Sequence, residues 1–367
     1  MTDREGCIAL NLISGIGYAR YKLLTDCFGS PEQVFGHAEE DYAQLRTIGP
    51  QLSARLAGFD AAGAVAAETD LADRAGIRIL TLFDSAYPAV LRELYDPPLC
   101  LYVRGTLPEF PDKAVAVVGT RRISAYGRRM SQRIAGDAAA MGFVVVSGLA
   151  IGVDTAAHQA ALDARGITVA VLGAGLAHIH PRENIPLARA IVENGGALIS
   201  EFPINMPPSR QNFPRRNRIV AGLCRATIVT EAGIDSGAMI TARMAIENNR
   251  EVFALPGNAD NPSARGCNAL IRDGAGLIEC FDDAAEAMGM GRRVPVSENG
   301  SDLPPDSDLD DLSRRILELL KNGDTGFDEM QSALNAETGM LLSSLMKLEL
   351  KMLIELTPEQ LYRRMDK

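Results

Sequence analysis

The stretch Ala114-Val-Ala-Val-Val-Gly119-Thr-Arg-Arg-Ile-Ser-Ala-Tyr-Gly127 joins an uninterrupted apolar run to a small, basic turn. An apolar run of this length is what a parallel strand covered on both faces requires, because neither face meets water. Comparable runs recur at 143–146, 167–172, 197–200, 226–230, 251–255 and 277–279. Between them, segments such as Val153 to Arg165 and Gly237 to Asn249 carry apolar residues at helical spacing and have room for a crossover helix. Residues 111–289 are therefore expected to form an α/β domain, a Rossmann-like, doubly wound, mostly parallel sheet.

Outward from this core the texture changes. Residues 1–80 read as a small N-terminal helical domain with two Gly-centred turns, Ser14-Gly15-Ile16-Gly17 and Thr47-Ile48-Gly49-Pro50, which resemble paired helix-hairpin-helix units. Such hairpins present backbone N–H groups to phosphates in some proteins and serve packing in most. Residues 81–110 read as a connecting extension, and 290–311, rich in Pro, Ser, Gly and acids, as an acidic linker. In 312–367 the amphipathic segments Leu312 to Leu320 and Leu341 to Leu350, with a strand candidate at 352–356, predict a C-terminal winged-helix-like domain.

The net charge of −10 over 367 residues argues at first against a nucleic-acid partner. The charge is unevenly spread, however. Residues 111–289 are near neutral, with 18 basic and 17 acidic side chains. They contain two windows without any acid: one holds Arg121, Arg122, Arg128, Arg129 and Arg133, the other Arg210, Arg215, Arg216, Arg218 and Arg225. The second includes Phe213-Pro-Arg-Arg-Asn217-Arg218 at the head of a helix, where Arg215 and Arg218 share a face and lack acidic partners three or four residues away. That favours phosphate contact, with Phe213 a candidate stacking platform for a base. No charged-then-apolar leader and no apolar run near ~20 residues is seen, so a soluble, non-membrane protein is expected. The six cysteines are widely spaced and read as small buried hydrophobes in a reducing compartment.

Ligands of an open α/β sheet bind beyond the carboxyl ends of its strands, and here nearly every strand end carries Gly, Ser or Arg. The first gives Gly119, Thr120, Arg121 and Arg122, the second Ser147, Gly148 and Gly152, the third Gly173, the fifth Ser236, Gly237 and Thr241, and the sixth Gly257. Glycine lets a phosphate approach the backbone, a helix N-terminus offers free N–H donors, and arginine adds a bidentate cation. Competing chemistries lack their signatures. Gly173-Ala-Gly175 has no third glycine and no ribose-binding acid, and no Gly-Lys pair exists for a nucleotide-triphosphate loop. His178-x-His180 without further ligands is a poor metal site, so no metal is expected. Glu231 and Asp235 are imaginable as a hydrolase pair, but capping or loop roles fit them better.

Taken in order, the motifs resemble the DNA-processing protein A (DprA/Smf) family. They are Phe83-Asp-x-x-Tyr87-Pro88-x-x-Leu91, Asp96-Pro-Pro98-x-x-Leu101-Tyr102, Gly119 to Gly127, Ser147-Gly-x-Ala-x-Gly152-x-Asp154, Ala170-Val-Leu-Gly173-x-Gly175-Leu176, Phe213-Pro-x-Arg-Asn217-Arg218, Ser236-Gly237 and Gly266-x-Asn268-x-Leu270-Ile271. Thr120, Ala177 and His180 depart from the usual pattern. The resemblance implies a non-catalytic cytoplasmic dimer that captures single-stranded DNA, protects it and loads the RecA recombinase in natural transformation, with no cofactor. It puts the main DNA-contacting arginine at Arg121 and the second basic contact either at Arg182 or at Arg215 and Arg216. The competing expectation is a nucleotide or nucleoside-monophosphate hydrolase, for which the loop Thr230-Glu-Ala-Gly-Ile-Asp-Ser-Gly237 lacks the Pro-Gly-Gly-x-Gly-Thr signature. A third is a pure interaction protein acting through its acidic linker and terminal helices, with the Rossmann-like core a scaffold.

Overall fold

The computed structural model describes residues 1–110, 113–291, 310–320, 323–350, 353–357 and 361–364. The chain divides into two compact units, Met1–Arg293 and Val294–Lys367.

The first unit is built on a nine-stranded sheet: β1 (Ile77–Thr81), β2 (Cys100–Gly105), β3 (Ala114–Val118), β4 (Val144–Ser147), β5 (Thr168–Val171), β6 (Ala197–Ser200), β7 (Ala226–Val229), β8 (Glu251–Ala254) and β9 (Gly276–Leu277). Their spatial order is β1-β2-β6-β5-β4-β3-β7-β8-β9. From β6 to β9 every pairing is parallel. Strands β3 to β6 and β7 are buried along their whole length, as their uninterrupted apolar runs require. The expected α/β doubly wound sheet is thus present. Strand order reverses between β3 and β7, and the crevice at such a reversal is where open α/β sheets hold ligands.

The stretch 81–110, expected as a connecting extension, is part of the sheet. Its strand β2 pairs antiparallel with β6, Arg104 opposite Leu198, and β1 pairs antiparallel with β2.

Helices α1 (Asp3–Leu12), α2 (Tyr18–Phe28), α3 (Glu39–Ala43), α4 (Pro50–Ala57) and α5 (Ala61–Arg74) precede the sheet, with the two Gly-centred turns between α1 and α2 and between α3 and α4 as expected. Ile8, Leu10 and Leu56 share one core with Ala170, Leu172 and Leu198, so these helices pack on a face of the sheet. The remaining helices of this unit are α6 (Ala89–Arg92), α7 (Ala125–Ala140), α8 (Val153–Asp163), α9 (Ile185–Glu193), α10 (Asn212–Gly222), α11 (Gly237–Glu247), α12 (Arg265–Arg272) and α13 (Phe281–Ala287). Cys7, Cys100, Cys224 and Cys267 are buried as expected, whereas Cys27 is exposed and Cys280 half-buried.

The second unit contains α14 (Asp311–Leu319), β10 (Thr325–Gly326), α15 (Phe327–Leu334), α16 (Thr338–Leu350), β11 (Ile354–Leu356) and β12 (Leu361–Arg364). The strands pair in the order β10-β12-β11 over a core of Ile316, Met330, Leu341, Leu345 and Leu348. Residues 292–309 of the expected acidic linker, and Met352 of the expected strand, lie outside the described residues.

Candidate nucleic-acid interface

The turns after β3 and β7 face each other across the strand reversal and wall an open cleft of about 950 Å³. The turn after β3 is fixed by the end of β7: Thr120 N–H donates to the Glu231 carbonyl (2.7 Å), and Ser124 N–H donates to Glu231 Oε2 (2.9 Å). Ser124 then caps α7 by accepting the Gly127 N–H at 2.9 Å. Held at both ends, the turn presents Arg121 and Arg122 to solvent. Glu231 is buried and tied to this turn, which is the loop role expected of it, while Asp235 is exposed at the cleft wall.

Gly148, Asp154 and Arg216 also line the cleft. Arg216 is 5 % exposed, its Nη1 donates to the Val171 carbonyl, and its Nε has no hydrogen-bond partner. No carboxylate among the described residues forms an ion pair with it. Burial pulls its pKa down to about 10, with the nearby charge of Arg121 acting the same way and Asp154 opposing. Asp154 is itself committed, accepting the Gly148 and Ala150 N–H groups at 3.1 and 3.2 Å, and burial pushes its carboxyl up. Gly148 is required here because a Cβ would overlap the Arg216 guanidinium. The result is a buried cation with no direct ion pair among the described residues, its charge offset by the neighbouring Asp154 carboxylate, at a cleft that solvent reaches.

Phe213 is half-buried: its ring packs against Gly173, Arg121 lies over it at 5.4 Å, and the His180 ring is 5.9 Å away. Part of its ring is thus packed on the fold and part stays open at the cleft. Asn217 donates to the Gly237 carbonyl at 3.4 Å, and Ser236 caps α11. Both line the cleft with Gly119, Thr120, Gly237 and Thr241.

Other expected site residues serve the fold. Ser147 is buried and donates to the Val117 carbonyl at 2.7 Å. Gly152 has φ +96° and lies against the backbone of Thr120 and Arg121, where a Cβ would sit 2.8 Å from Arg121 Cα. Gly257 packs on Ala264 and donates its N–H to Asn268 Oδ1 at 3.1 Å. The largest correction concerns Arg218. It is 7 % exposed, makes a bidentate pair with buried Glu201 at 2.7 and 2.9 Å, and reaches Asp96 at 3.0 Å, so its donors are consumed. Arg215 is partly exposed and also pairs with Glu201, at 2.9 Å. The acids absent from the helix face come from distant parts of the chain. Arg182 is exposed and lines a separate cavity.

Arg210 and Arg265, neither of them an expected site residue, also line the cleft. Arg210 was discoverable as a member of the second acid-free window. Arg265 had no local signal, because it reaches the cleft from the start of α12.

Residues 78–289 match the family model described as DNA recombination-mediator protein A. Protein Smf of Escherichia coli is 41 % identical over 268 residues, covering 72 % of this chain and 71 % of its own. Among solved structures, DNA processing protein A of Streptococcus pneumoniae superposes with a TM-score of 0.66 at 32 % identity, covering 78 % of this chain and 98 % of that one. The Helicobacter pylori DNA processing protein A, studied for its single-stranded DNA binding mode, gives 0.53 at 30 % identity over 59 % and 98 %. With the motifs of the cleft inside the matched region, the chain belongs to the DNA recombination-mediator protein A family.

Proposed function

We propose that the chain binds single-stranded DNA without sequence preference through the cleft between β3 and β7, and catalyses no reaction there. The observation that carries this reading is Arg216, a buried guanidinium with an unpartnered Nε and no direct ion pair among the described residues, lining the same cleft as exposed Arg121 and Arg122. A buried charge is costly unless paired, so a site of this kind is completed by an anion from outside. Phe213 and the glycine turns suit a phosphodiester strand with stackable bases, and stacking gives affinity without base readout. The single-stranded DNA binding named for the Helicobacter pylori relative supports the choice of ligand. The Glu231 carboxylate is buried, its Oε2 accepts the Ser124 N–H, and it does not line the cleft, which disfavours the hydrolase alternative.

Beyond binding, the reading extends to protecting incoming DNA and loading the RecA recombinase in natural transformation, as a cytoplasmic homodimer whose terminal unit is winged-helix-like. Family membership supports it. Strand-exchange assays with RecA and sedimentation of the full chain test those two parts separately.

Fluorescence anisotropy with matched single- and double-stranded oligonucleotides across a salt series tests the core of the reading. Preference for the single strand, with affinity falling as salt rises, is expected. Arg121→Glu is expected to cost about ten- to a hundredfold, since a charged hydrogen bond is worth ~1.5–3 kcal/mol. Arg363→Glu, at an exposed pair with Asp324 in the second unit, leaves binding unchanged. Equal losses from both substitutions, or release of free base from a nucleotide panel, overturn it.

A further inference from the structure

A second cavity, of about 570 Å³, lies beside α9, and Arg182 is only one of its cations. Arg104 enters it from β2, the strand of the antiparallel extension, and Arg189 from α9. Its remaining wall is largely apolar, with Leu176, Ile179, Val192 and Leu198. Glu193 is the one acid that lines it. Among the described residues none of the three arginines forms an ion pair, and the Arg104 Nε is buried without a hydrogen-bond partner. An apolar slot rimmed by unneutralised guanidinium groups is complementary to a ligand with a flat apolar body and an anionic edge.

The cavity is separate from the cleft but adjoins it. His180 lines it, and its ring stands 5.9 Å from that of Phe213, which lines the cleft beneath Arg121. Arg121, Phe213 and His180 thus form a run of cation and rings leading from one cavity to the other, a geometry on which successive bases of one strand stack.

We propose that this second cavity is a further subsite of the same strand, taking an unpaired base into its apolar slot and the adjoining phosphates on Arg104 and Arg189. The inference rests on the binding function proposed above and extends it, because it makes the antiparallel extension part of the DNA site. A base held in a duplex cannot enter the slot, so the subsite also contributes to single-strand preference.

The test is anisotropy with oligothymidylates of increasing length, from about 4 to about 16 nucleotides, the range of site sizes found for single-strand-binding folds. In the unmodified chain affinity is expected to rise with length until both cavities are spanned. Arg104→Gln and Arg189→Gln are each expected to lower the affinity of the longest strand about tenfold, leaving the shortest unaffected. The salt slope for the longest strand should fall by about 0.7 per lost phosphate contact. Arg104 is partly buried, so melting curves accompany it, and exposed Arg189 gives the same readout if Arg104→Gln fails to fold. Losses equal at every length, or absent at every length, overturn the subsite. So does thymidine monophosphate binding that requires Arg189 while strand binding does not, which makes the cavity a free-nucleotide site. The cleft reading fails separately, when Arg121→Glu spares all lengths.

Discussion

The two acid-free arginine windows look alike in sequence and differ in the folded chain. In the first, Arg121 and Arg122 sit on a turn anchored by Glu231 and stay exposed at the cleft. In the second, Arg215 and Arg218 converge on Glu201, Arg225 lies 4.0 Å from Glu251 and donates to the Met288 carbonyl, and Arg216 is buried. Freedom from acids along the chain is therefore not freedom from acids in space. A window can serve as an anion site, as a structural network, or as both at adjacent positions.

The sharpest way to break this comparison is to remove one side of the network. Arg218→Gln leaves buried Glu201 with Arg215 as its remaining partner, so the loss should approach but not exceed the about 3–5 kcal/mol of a fully broken buried pair. Chemical denaturation should show that loss, while strand affinity per folded molecule stays within about twofold, a few tenths of a kcal/mol. Unchanged stability with affinity lost as in Arg121→Glu would return Arg218 to the DNA site.

Arg216 belongs to neither class, and its buried charge acts inward as well as outward. His158 is fully buried, bonded to Thr168 Oγ1 at 2.7 Å, and burial holds its pKa down to about 3, with the charge of Arg216 adding to the effect. The unfolded imidazole titrates near 6.5, so the unfolded chain binds the extra proton. The stability His158 contributes is complete above about pH 6.5 and is lost as pH falls toward 3, by at most about 1.4 kcal/mol per unit. Arg216→Gln should raise the folded pKa and shorten this acid limb, as read from denaturation midpoints against pH. A limb unchanged in Arg216→Gln shows that the Asp154 carboxylate already neutralises the charge as His158 feels it.

The glycines of the turns divide in the same way. Gly152→Ala forces a Cβ onto the Arg121 backbone at φ +96°, and strain of that kind costs on the order of 1–3 kcal/mol. Gly237→Ala meets nothing within 4 Å and should change stability by less than about 0.5 kcal/mol. Equal melting shifts for the two would show that the turn after β3 yields more than its packing implies.

What could be read from the sequence follows from the range of the forces involved. The parallel strands were legible because burial on two faces writes itself into a continuous apolar run, as at Ala114–Val118. Strand β1 escaped because Arg78 interrupts its run, and β2 because its place in the sheet depends on pairing with β6, a strand some hundred residues later. The cleft turns were legible one by one. Which arginines they would keep was not, since Arg218 finds its partners 17 and 122 residues away. Nor did the sequence distinguish a glycine that admits a ligand from one that admits only a neighbouring backbone, as Gly152 does.

The smallest expected effect tests where the first window ends as a binding element. Arg133 belongs to it in sequence, but it lies about two and a half turns along α7 from the Ser124 cap, or roughly 13.5 Å at 1.5 Å per residue. That exceeds the ~10 Å screening length at 0.1 M salt, so its charge contributes little at the cleft. Its contact with Asp137, at 3.9 Å and largely exposed, is of the kind worth under ~1 kcal/mol. Arg133→Ala should thus change strand affinity by less than about twofold at 0.1 M salt, with a larger loss only at low ionic strength, where the screening length grows. A loss at 0.1 M salt comparable to that of Arg121→Glu would mean that the strand runs along α7 instead of crossing from β3 to β7.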